Sequence, residues 1–527
     1  MTDAINDILA SSYRPENMDW SDAHDRELAR KLRQREADWR VGPIVYQVYL
    51  DRFAPAKNLQ QKITDGLYDT PRILRPWSTL PKRGPHIHSH NMSTNALEYW
   101  GGDLQSLHSR IGYLQSLSPD VIYLGPIHEA LSNHKYDASD YFNIAPEYGS
   151  HDELHRLTED IHGCGMRIML DGVFNHMGQH SPYFIDAKNN PDSPYRDWFV
   201  FDDAYPSGYR SWMGSENLPE LNLENPELRQ LLWEDENSVI KSYLQNGIDG
   251  WRLDVAYDLG FNYLKQITDA AHAVKPDASV IGELWNYPSQ WVDSHDGLIN
   301  LHVRQIIYYL LQGKIIGRQA AACFKQMIDD MGYESLLKSW LVLDNHDVRR
   351  LRTDFTHESK RQLAQLLQFT LPGSPNMYYG SELGMLGGDD PACRAPMRWD
   401  LVHDSNPHLA YTKQLISLRK EHRALRVGET YVLHSEKCFA FARFTDRLDE
   451  TLFVLVNPTA AHVTEMVQHR TPKIMSMTRL KDLLSPSSRR YETHIGFLEV
   501  SLPPHSAMIL TPDVPTAPAY NPFKRVN

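Results

Sequence analysis

GWRLDVAYDLGFNYLKQITDAAHAVKPDASVIGEL, residues 250–284, decides the fold. Its first five residues, Gly250 to Asp254, are a short apolar run that ends in a carboxylate. Its last six, SVIGEL from Ser279 to Leu284, repeat that character with Glu283 near the end. The stretch between them has helical period. Two apolar strands separated by a helix predict a parallel pair joined by a crossover. The same unit recurs in both directions. Strand candidates are IVYQVYL (Ile44 to Leu50), VIYLGP (Val121 to Pro126) and RIMLDG (Arg167 to Gly172) before it. GLINLH (Gly297 to His302), WLVLDN (Trp340 to Asn345) and NMYYG (Asn376 to Gly380) follow it. Stretches such as DLQSLHSRIGYLQSL, HDELHRLTEDIHGCG and NPELRQLLWEDENSVIKSYLQNG read as the helices between. Eight strand–helix units over 42–426 predict a closed (β/α)8 TIM barrel of the α/β class. A doubly wound open sheet is the alternative, but no GxGxxG follows the first strand.

Two excursions break the rhythm. One runs from about Ala54 to Tyr99, the other over 177–225 after the third strand, where a small inserted domain is expected. Both leave C-terminal strand ends, the face on which such barrels carry their active sites. Over 427–514 the pattern changes to short alternating strands (ETYVLHS, CFAFARF, TLFVLVN, FLEVSL, SAMILTP), which predict a C-terminal antiparallel β-sandwich. Residues 1–41 read as a charged helical segment on the surface, with Ser21 as its cap. Residues 515–527 read as an extended tail.

With a net charge of −13, nucleic acid is excluded as a partner. No apolar run has the length of a membrane span, so no membrane is expected. The cysteines Cys164, Cys323, Cys393 and Cys438 show neither CxxC spacing nor a disulfide framework, and the N-terminus lacks a basic region followed by an apolar one. A cytoplasmic location is the expectation from these two features.

Asp171, Asp254, Glu283 and Asp347 fall at the ends of the third, fourth, fifth and seventh strands, accompanied by His176, Arg252 and His346. Like charges gathered at one barrel mouth repel and are desolvated, which makes the set a poor structural choice. It is the inventory of retaining glycoside hydrolysis: one carboxylate to attack, and one carboxylic acid to protonate the leaving oxygen and then activate water. Negative charge on Asp254 and Asp347 is expected to help Glu283 keep its proton. Arg252, two residues before Asp254 and on the same strand face, is expected to keep that nucleophile ionised. His176 and His346 can donate hydrogen bonds to sugar hydroxyls.

These residues sit in DGVFNH (Asp171 to His176), GWRLDVAYD (Gly250 to Asp258), GELWN (Gly282 to Asn286) and LDNHD (Leu343 to Asp347). In this order and on these strands, the four motifs resemble the α-amylase family, glycoside hydrolase family 13. The resemblance implies a catalytic barrel, an inserted domain after the third strand and a C-terminal β-sandwich. It implies a retaining hydrolase of α-1,4 bonds in maltooligosaccharides, cyclodextrins or starch, with transfer to another sugar as a side reaction. By motif, Asp254 resembles the nucleophile, Glu283 the acid/base, and Asp347 the carboxylate that binds sugar hydroxyls. Arg252, His176 and His346 resemble ligands of the ring being cleaved, and Asp171 a structural support. Tyr136, in SNHKYDASDY, resembles the aromatic platform beneath that ring. Asp390 and Arg394, in GGDDPACRAPMRWD, resemble a pair that contacts the next sugars. The stretches SNHKYDASDYF, LPELNLENPELR, GELWN and GGDDPACRAPMRWD are most similar to neopullulanases, cyclomaltodextrinases and maltogenic amylases, in which Trp285 would shape the leaving-group subsite.

Three departures mix the subgroup. Those relatives usually carry an N-terminal β-sandwich, whereas here the first strand candidate begins at Ile44. Their fourth-strand motif usually ends Asn-Glu, where Tyr257 and Asp258 stand. LDNHD is closer to α-amylases than to the usual serine-containing version. No cofactor is expected for the chemistry. The resemblance allows a structural calcium ion, since Asn175 resembles a ligand, although the usual histidine ligand is missing. A dedicated 4-α-glucanotransferase or α-glucosidase on the same scaffold stays open as an alternative, as does a non-catalytic glycan-binding or assembly subunit. Oligomeric state is not indicated.

Overall fold

The computed structural model describes residues 23–485 and 490–513. The cap at Ser21, the N-terminal twenty residues and the 515–527 tail lie outside them. Eight parallel strands close a barrel: β1 (Val45–Val48), β2 (Val121–Leu124), β3 (Arg167–Gly172), β4 (Gly250–Leu253), β5 (Ser279–Leu284), β6 (Gly297–Asn300), β7 (Trp340–Val342) and β8 (Ser374–Tyr378). Each strand pairs with the next in sequence, and β8 returns to β1. The fold is the expected TIM barrel. Apolar residues cover both faces of these strands because helices pack outside and side chains fill the inside. Val45, Tyr123, Met169, Ile281, Ile299 and Trp340 belong to the interior cluster.

Helix α1 (Ala23–Ala37) precedes the barrel. It is more than a solvated surface helix. Leu28 and Leu32 pack against Leu337 and Val427, and buried Arg35 reaches Glu334 at 2.6 Å and Glu429 at 2.8 Å. Helix α2 (His151–Gly163) shows why the local sequence is helical. Ser150 and Glu153 form a reciprocal capping box at its start. Leu154, Leu157 and Ile161 then follow at helical spacing and face the barrel. Helix α3 (Ala256–Val274) joins β4 to β5.

The strand–helix alternation fails once. The connection from β5 to β6 holds only a 3-10 turn, Trp291–Asp293. The long helix read from NPELRQLLWEDENSVIKSYLQNG is also interrupted. Helical backbone stops at Asp235, which is extended (φ −68°, ψ 156°), and resumes at Val239–Gln245. The third-strand excursion is loop-rich, with one helix, Pro182–Asn189, and isolated bridges such as Phe199 to Leu221.

Among the described residues the C-terminal part holds eight antiparallel strands rather than the five read from sequence: β9 (Glu429–Val432), β10 (Phe439–Phe444), β11 (Leu452–Asn457), β12 (Val463–Gln468), β13 (Arg479–Asp482), β14 (Tyr491–His494), β15 (Phe497–Leu502) and β16 (Ser506–Pro512). They follow one hydrogen-bonded order, β9-β10-β11-β16-β13-β14-β15-β12. A bridge between His434 and Gln468 brings its two ends together over a separate apolar core. The missed strands, β12 to β14, are polar at most exposed positions, so their apolar signal is weak.

At the barrel's closed end, Asp249 precedes β4 and is fully buried. It accepts hydrogen bonds from Lys275 Nζ (2.6 Å) and the Ile168 N–H (2.9 Å), and contacts His162 Nε2 (2.7 Å). Burial works to raise its carboxyl, but His162, Lys275 and the Ile168 N–H prevail and hold it at about 2. A depressed carboxylate contributes stability above its unfolded value and loses it as pH falls through the folded one. A shift from 3.8 to about 2 corresponds to about 2 kcal/mol. Asp249→Asn is therefore expected to lower the thermal midpoint at pH 7 by about 2–4 °C. The gap should narrow as pH falls from 3.8 toward about 2. A constant gap across that range would show that the ionised carboxylate is not responsible.

Candidate active site

Strand periodicity builds the site. Alternate residues face the barrel interior, so Met169 and Asp171 share one side of β3, and Ile281 and Glu283 one side of β5. Each pair climbs from apolar floor to carboxylate at the open end. The register places Arg252 opposite both Asp171 and Ile281 on the neighbouring strands. Asp254 follows β4 by one residue, and its N–H is held by the Gly172 carbonyl at 3.0 Å.

Arg252 is the hub. Its Nη1 donates to Asp171 at 2.7 and 2.9 Å and to Asp254 Oδ1 at 2.9 Å. Its Nη2 lies 2.9 Å from Glu283 Oε2. Arg252 is 0% exposed, so it sits beneath the cleft floor and contacts carboxylates rather than open space. One guanidinium is thus shared among three carboxylates. Burial pushes the Asp254 carboxyl well above the usual range. Arg252 opposes that push, while Glu283, Asp171 and Asp347 add to it. Burial likewise raises Asp171, again against Arg252. Against the expectation that Arg252 keeps Asp254 ionised, burial outweighs the pull of the guanidinium.

Val255, directly after Asp254, has φ 46° and ψ 46°. A β-branched residue in left-handed backbone costs about 1–3 kcal/mol and persists only when its surroundings hold it. Its N–H donates to Glu283 Oε2 at 3.2 Å, and Trp285 Nε1–H donates to Oε1 at 3.1 Å. Glu283 is thereby oriented from both sides.

The histidines are neutral. Burial lowers His176 to about 4. It also lowers His346, with the charges of Arg394 and Arg252 acting the same way. Gln47 Nε2 donates to His346 Nδ1 at 3.0 Å, which leaves the ring proton on Nε2, 3.2 Å from Asp347 Oδ2 and 2.5 Å from the Tyr136 hydroxyl. The Tyr136 ring stacks on His346 (5.4 Å, 5°), and its hydroxyl also donates to Asp171 at 3.0 Å. His176 Nδ1 faces the Asn175 NH2 at 3.5 Å, which leaves the ring proton on Nε2; that atom is buried with no hydrogen-bond partner among the described residues, so it can donate to a ligand. Arg394 Nε donates to the His346 carbonyl at 2.8 Å and lies 3.0 Å from Asp390, and its Nη2 reaches Asp347 at 3.3 Å.

A cleft of about 1290 Å³ opens above this floor. Tyr136, His176, Asp254, Glu283, Trp285, His346, Asp347, Asp390 and Arg394 all line it. Both long excursions contribute walls, with His86, His88 and Asn91 from the first and Trp212 to Leu218 from the second. The chain matches a family model described as "Alpha amylase, catalytic domain" over residues 47–428. The chain belongs to the α-amylase family.

Within this family, a cyclomaltodextrinase of Bacillus sp is 32% identical over 447 residues, spanning 80% of this chain and 74% of that protein. An intracellular maltogenic amylase of Bacillus subtilis (strain 168) is 31% identical over 494 residues, spanning 91% and 78%. Among solved structures, the ligand-free cyclic α-maltosyl-(1→6)-maltose hydrolase of Arthrobacter globiformis aligns with a TM-score of 0.74 at 27% identity. That alignment covers 90% of this chain and 100% of the other. Like its α-amylase-family relatives, the chain is a glycoside hydrolase.

Calcium, which the family resemblance allowed at Asn175, finds little support in that residue's surroundings. The ion takes six to eight oxygen ligands. The Asn175 amide lies 3.5 Å from the His176 ring, and its carbonyl accepts from the Leu221 N–H. No group of three or more Asp, Glu, His or Cys side chains among the described residues is arranged to hold a metal ion. These residues do not fit a calcium site, and the family's chemistry needs no cofactor.

Some cleft residues escaped the sequence reading. Trp212 stacks on His176 (5.4 Å, 26°), and its indole N–H donates to Asp258 at 3.1 Å. That bond ties the third-strand excursion to α3 and gives Asp258 a partner. His134 also lines the cleft, its ring stacked beside Tyr136 at 5.8 Å and 28°. The only available signal was position, since both lie in loops that leave C-terminal strand ends.

Proposed function

We propose that the protein is a retaining α-glucan hydrolase that cleaves α-1,4-glucosidic bonds in maltooligosaccharides, cyclodextrins or starch. The carrying observation is the pairing of Asp254 and Glu283 across one buried guanidinium at the floor of a wide cleft. That arrangement supports the roughly 5–5.5 Å carboxyl separation at which attack is direct and a glycosyl-enzyme forms. Asp254 attacks the anomeric carbon while Glu283 gives its proton to the departing oxygen. Glu283 then takes a proton from water as the water oxygen bonds to the anomeric carbon and the bond to Asp254 breaks.

Asp347, His346 and His176 hold the hydroxyls of the ring being cleaved, with Tyr136 beneath it. Arg252 acts through the carboxylates it binds. Asp390 and Arg394 meet the next sugars. Trp285, 62% exposed beside Glu283, supports a leaving-group subsite at which an incoming sugar competes with water, so transfer is a side reaction. The cytoplasmic assignment is supported by free cysteines and by the relative named as intracellular. No helix among the described residues is long and apolar enough to cross a membrane.

The test is a product profile from maltoheptaose, β-cyclodextrin, soluble starch and pullulan, with Glu283→Gln as control. Shorter maltooligosaccharides from the wild type only are expected. Products longer than the input as the main outcome would make the enzyme a glucanotransferase. No product from any of the four would overturn the reading.

A further inference from the structure

Three aromatic rings form one surface just outside the catalytic cluster. Tyr257 and Phe261 stand on α3, and Trp291 on the 3-10 turn that replaces a helix between β5 and β6. Trp291 is 7% exposed and is the base. Phe261 packs against it with centroids 4.2 Å apart at 30°, and Tyr257 at 5.5 Å and 41°. Tyr257 and Phe261 nevertheless remain 61% and 47% exposed. Leaving two large rings in water forgoes burial worth roughly 25 cal/mol per Å². Such surface beside a groove marks a binding region more often than a packing defect.

The surface is also continuous with the cleft. Tyr257 lines it together with Trp285 and Asn286. Trp285 is bonded to Glu283, so the series runs outward from the proton donor through Trp285 to Tyr257 and Phe261. The backbone between the two rings is specialised. Gly260 has φ 73° and ψ 163°, an interruption inside α3 that L side chains rarely adopt. Both rings contact Trp291 across that interruption.

We propose that Tyr257 and Phe261, seated on Trp291, form a stacking platform for glucose units on the leaving-group side of the scissile bond, beyond the unit at Trp285. The C–H face of a pyranose is apolar and flat, which suits a pair of exposed rings and needs no charge. This inference rests on Glu283 being the acid, because Glu283 defines the leaving-group side. It names these two rings as determinants of how well long chains are bound relative to short ones.

The test compares maltoheptaose with α-maltosyl fluoride, which carries no glucose beyond the bond that breaks. In the double variant Tyr257→Ala/Phe261→Ala, the loss of kcat/KM on maltoheptaose should exceed the loss on the fluoride by about tenfold, mostly in KM. Tyr257→Phe keeps the ring and should retain the wild-type ratio. Equal losses on both substrates, or no loss on either, would overturn the platform while leaving the hydrolase reading intact. Calorimetric binding of maltoheptaose in an Asp254→Asn background separates the two ideas. Weaker binding on adding the double substitution is the expected result, and unchanged binding sinks the platform. A wild-type protein that neither cleaves nor binds maltoheptaose would bring down both.

Discussion

Asp254→Asn is expected to lower turnover of maltoheptaose by on the order of 10⁴-fold or more while leaving the fold intact. An amide is a very poor nucleophile, so no glycosyl-enzyme forms. The structure adds a second expectation, which concerns stability. Asp254 shares Arg252 with Asp171 and Glu283, and burial already pushes its carboxyl well above the usual range. For an acid raised by folding, the ionised form is the disfavoured one in the native state, so it detracts from stability at neutral pH. A neutral amide of the same shape removes one like charge from the cluster. The thermal midpoint of Asp254→Asn at pH 7 should therefore equal or exceed that of the wild type, the usual trade of stability against activity. Near wild-type turnover would sink Asp254 as nucleophile. A midpoint several degrees lower would show that the loss of activity comes from a damaged fold.

Glu283→Gln should behave differently, because the need for a proton donor depends on the leaving group. On maltoheptaose, loss of general acid assistance is expected to cost about 10²–10⁴-fold. On α-maltosyl fluoride, fluoride departs with little help, so Asp254 is still glycosylated. Release of the sugar needs Glu283 as base, and that step remains slow. A rapid burst of fluoride equivalent to the enzyme present, followed by slow turnover, is the expected time course. Equal losses on both substrates with no burst would remove Glu283 from the acid/base role. Trp285 and the Val255 N–H hold the two oxygens of Glu283, and a glutamine can accept from only one of them because its NH2 is a donor. The burst on the fluoride is therefore the readout that separates the chemical loss from a change of position.

The two variants probe different elements of one design. The nucleophile follows β4 and the acid lies on β5, adjacent parallel strands whose register brings Leu253 opposite Gly282. Strand pairing alone therefore delivers the carboxylates to one end of the barrel. Their orientation depends on contacts from elsewhere, namely Arg252 below, Val255 in left-handed backbone, and Trp285 on the loop.

What the sequence by itself determined was periodic or local. Every barrel strand was legible because a strand buried on both faces reads as a continuous apolar run. The carboxylates at strand ends were legible because the side-chain period of two places Asp171 and Glu283 on interior faces without knowledge of any contact. The C-terminal domain was legible in its apolar strands and obscured in the polar hairpins around β13 and β14. Only the tertiary structure decided the division of one guanidinium among three carboxylates, since Asp171 and Glu283 approach Arg252 from other strands. It also decided that the charged N-terminal helix is docked through Arg35, that Asp258 binds Trp212, and that Tyr257 and Phe261 share Trp291 as a base. Each of those contacts joins segments far apart in sequence or separated by an irregular loop. The contacts follow from how strand ends and loops converge on one face, which no local period encodes.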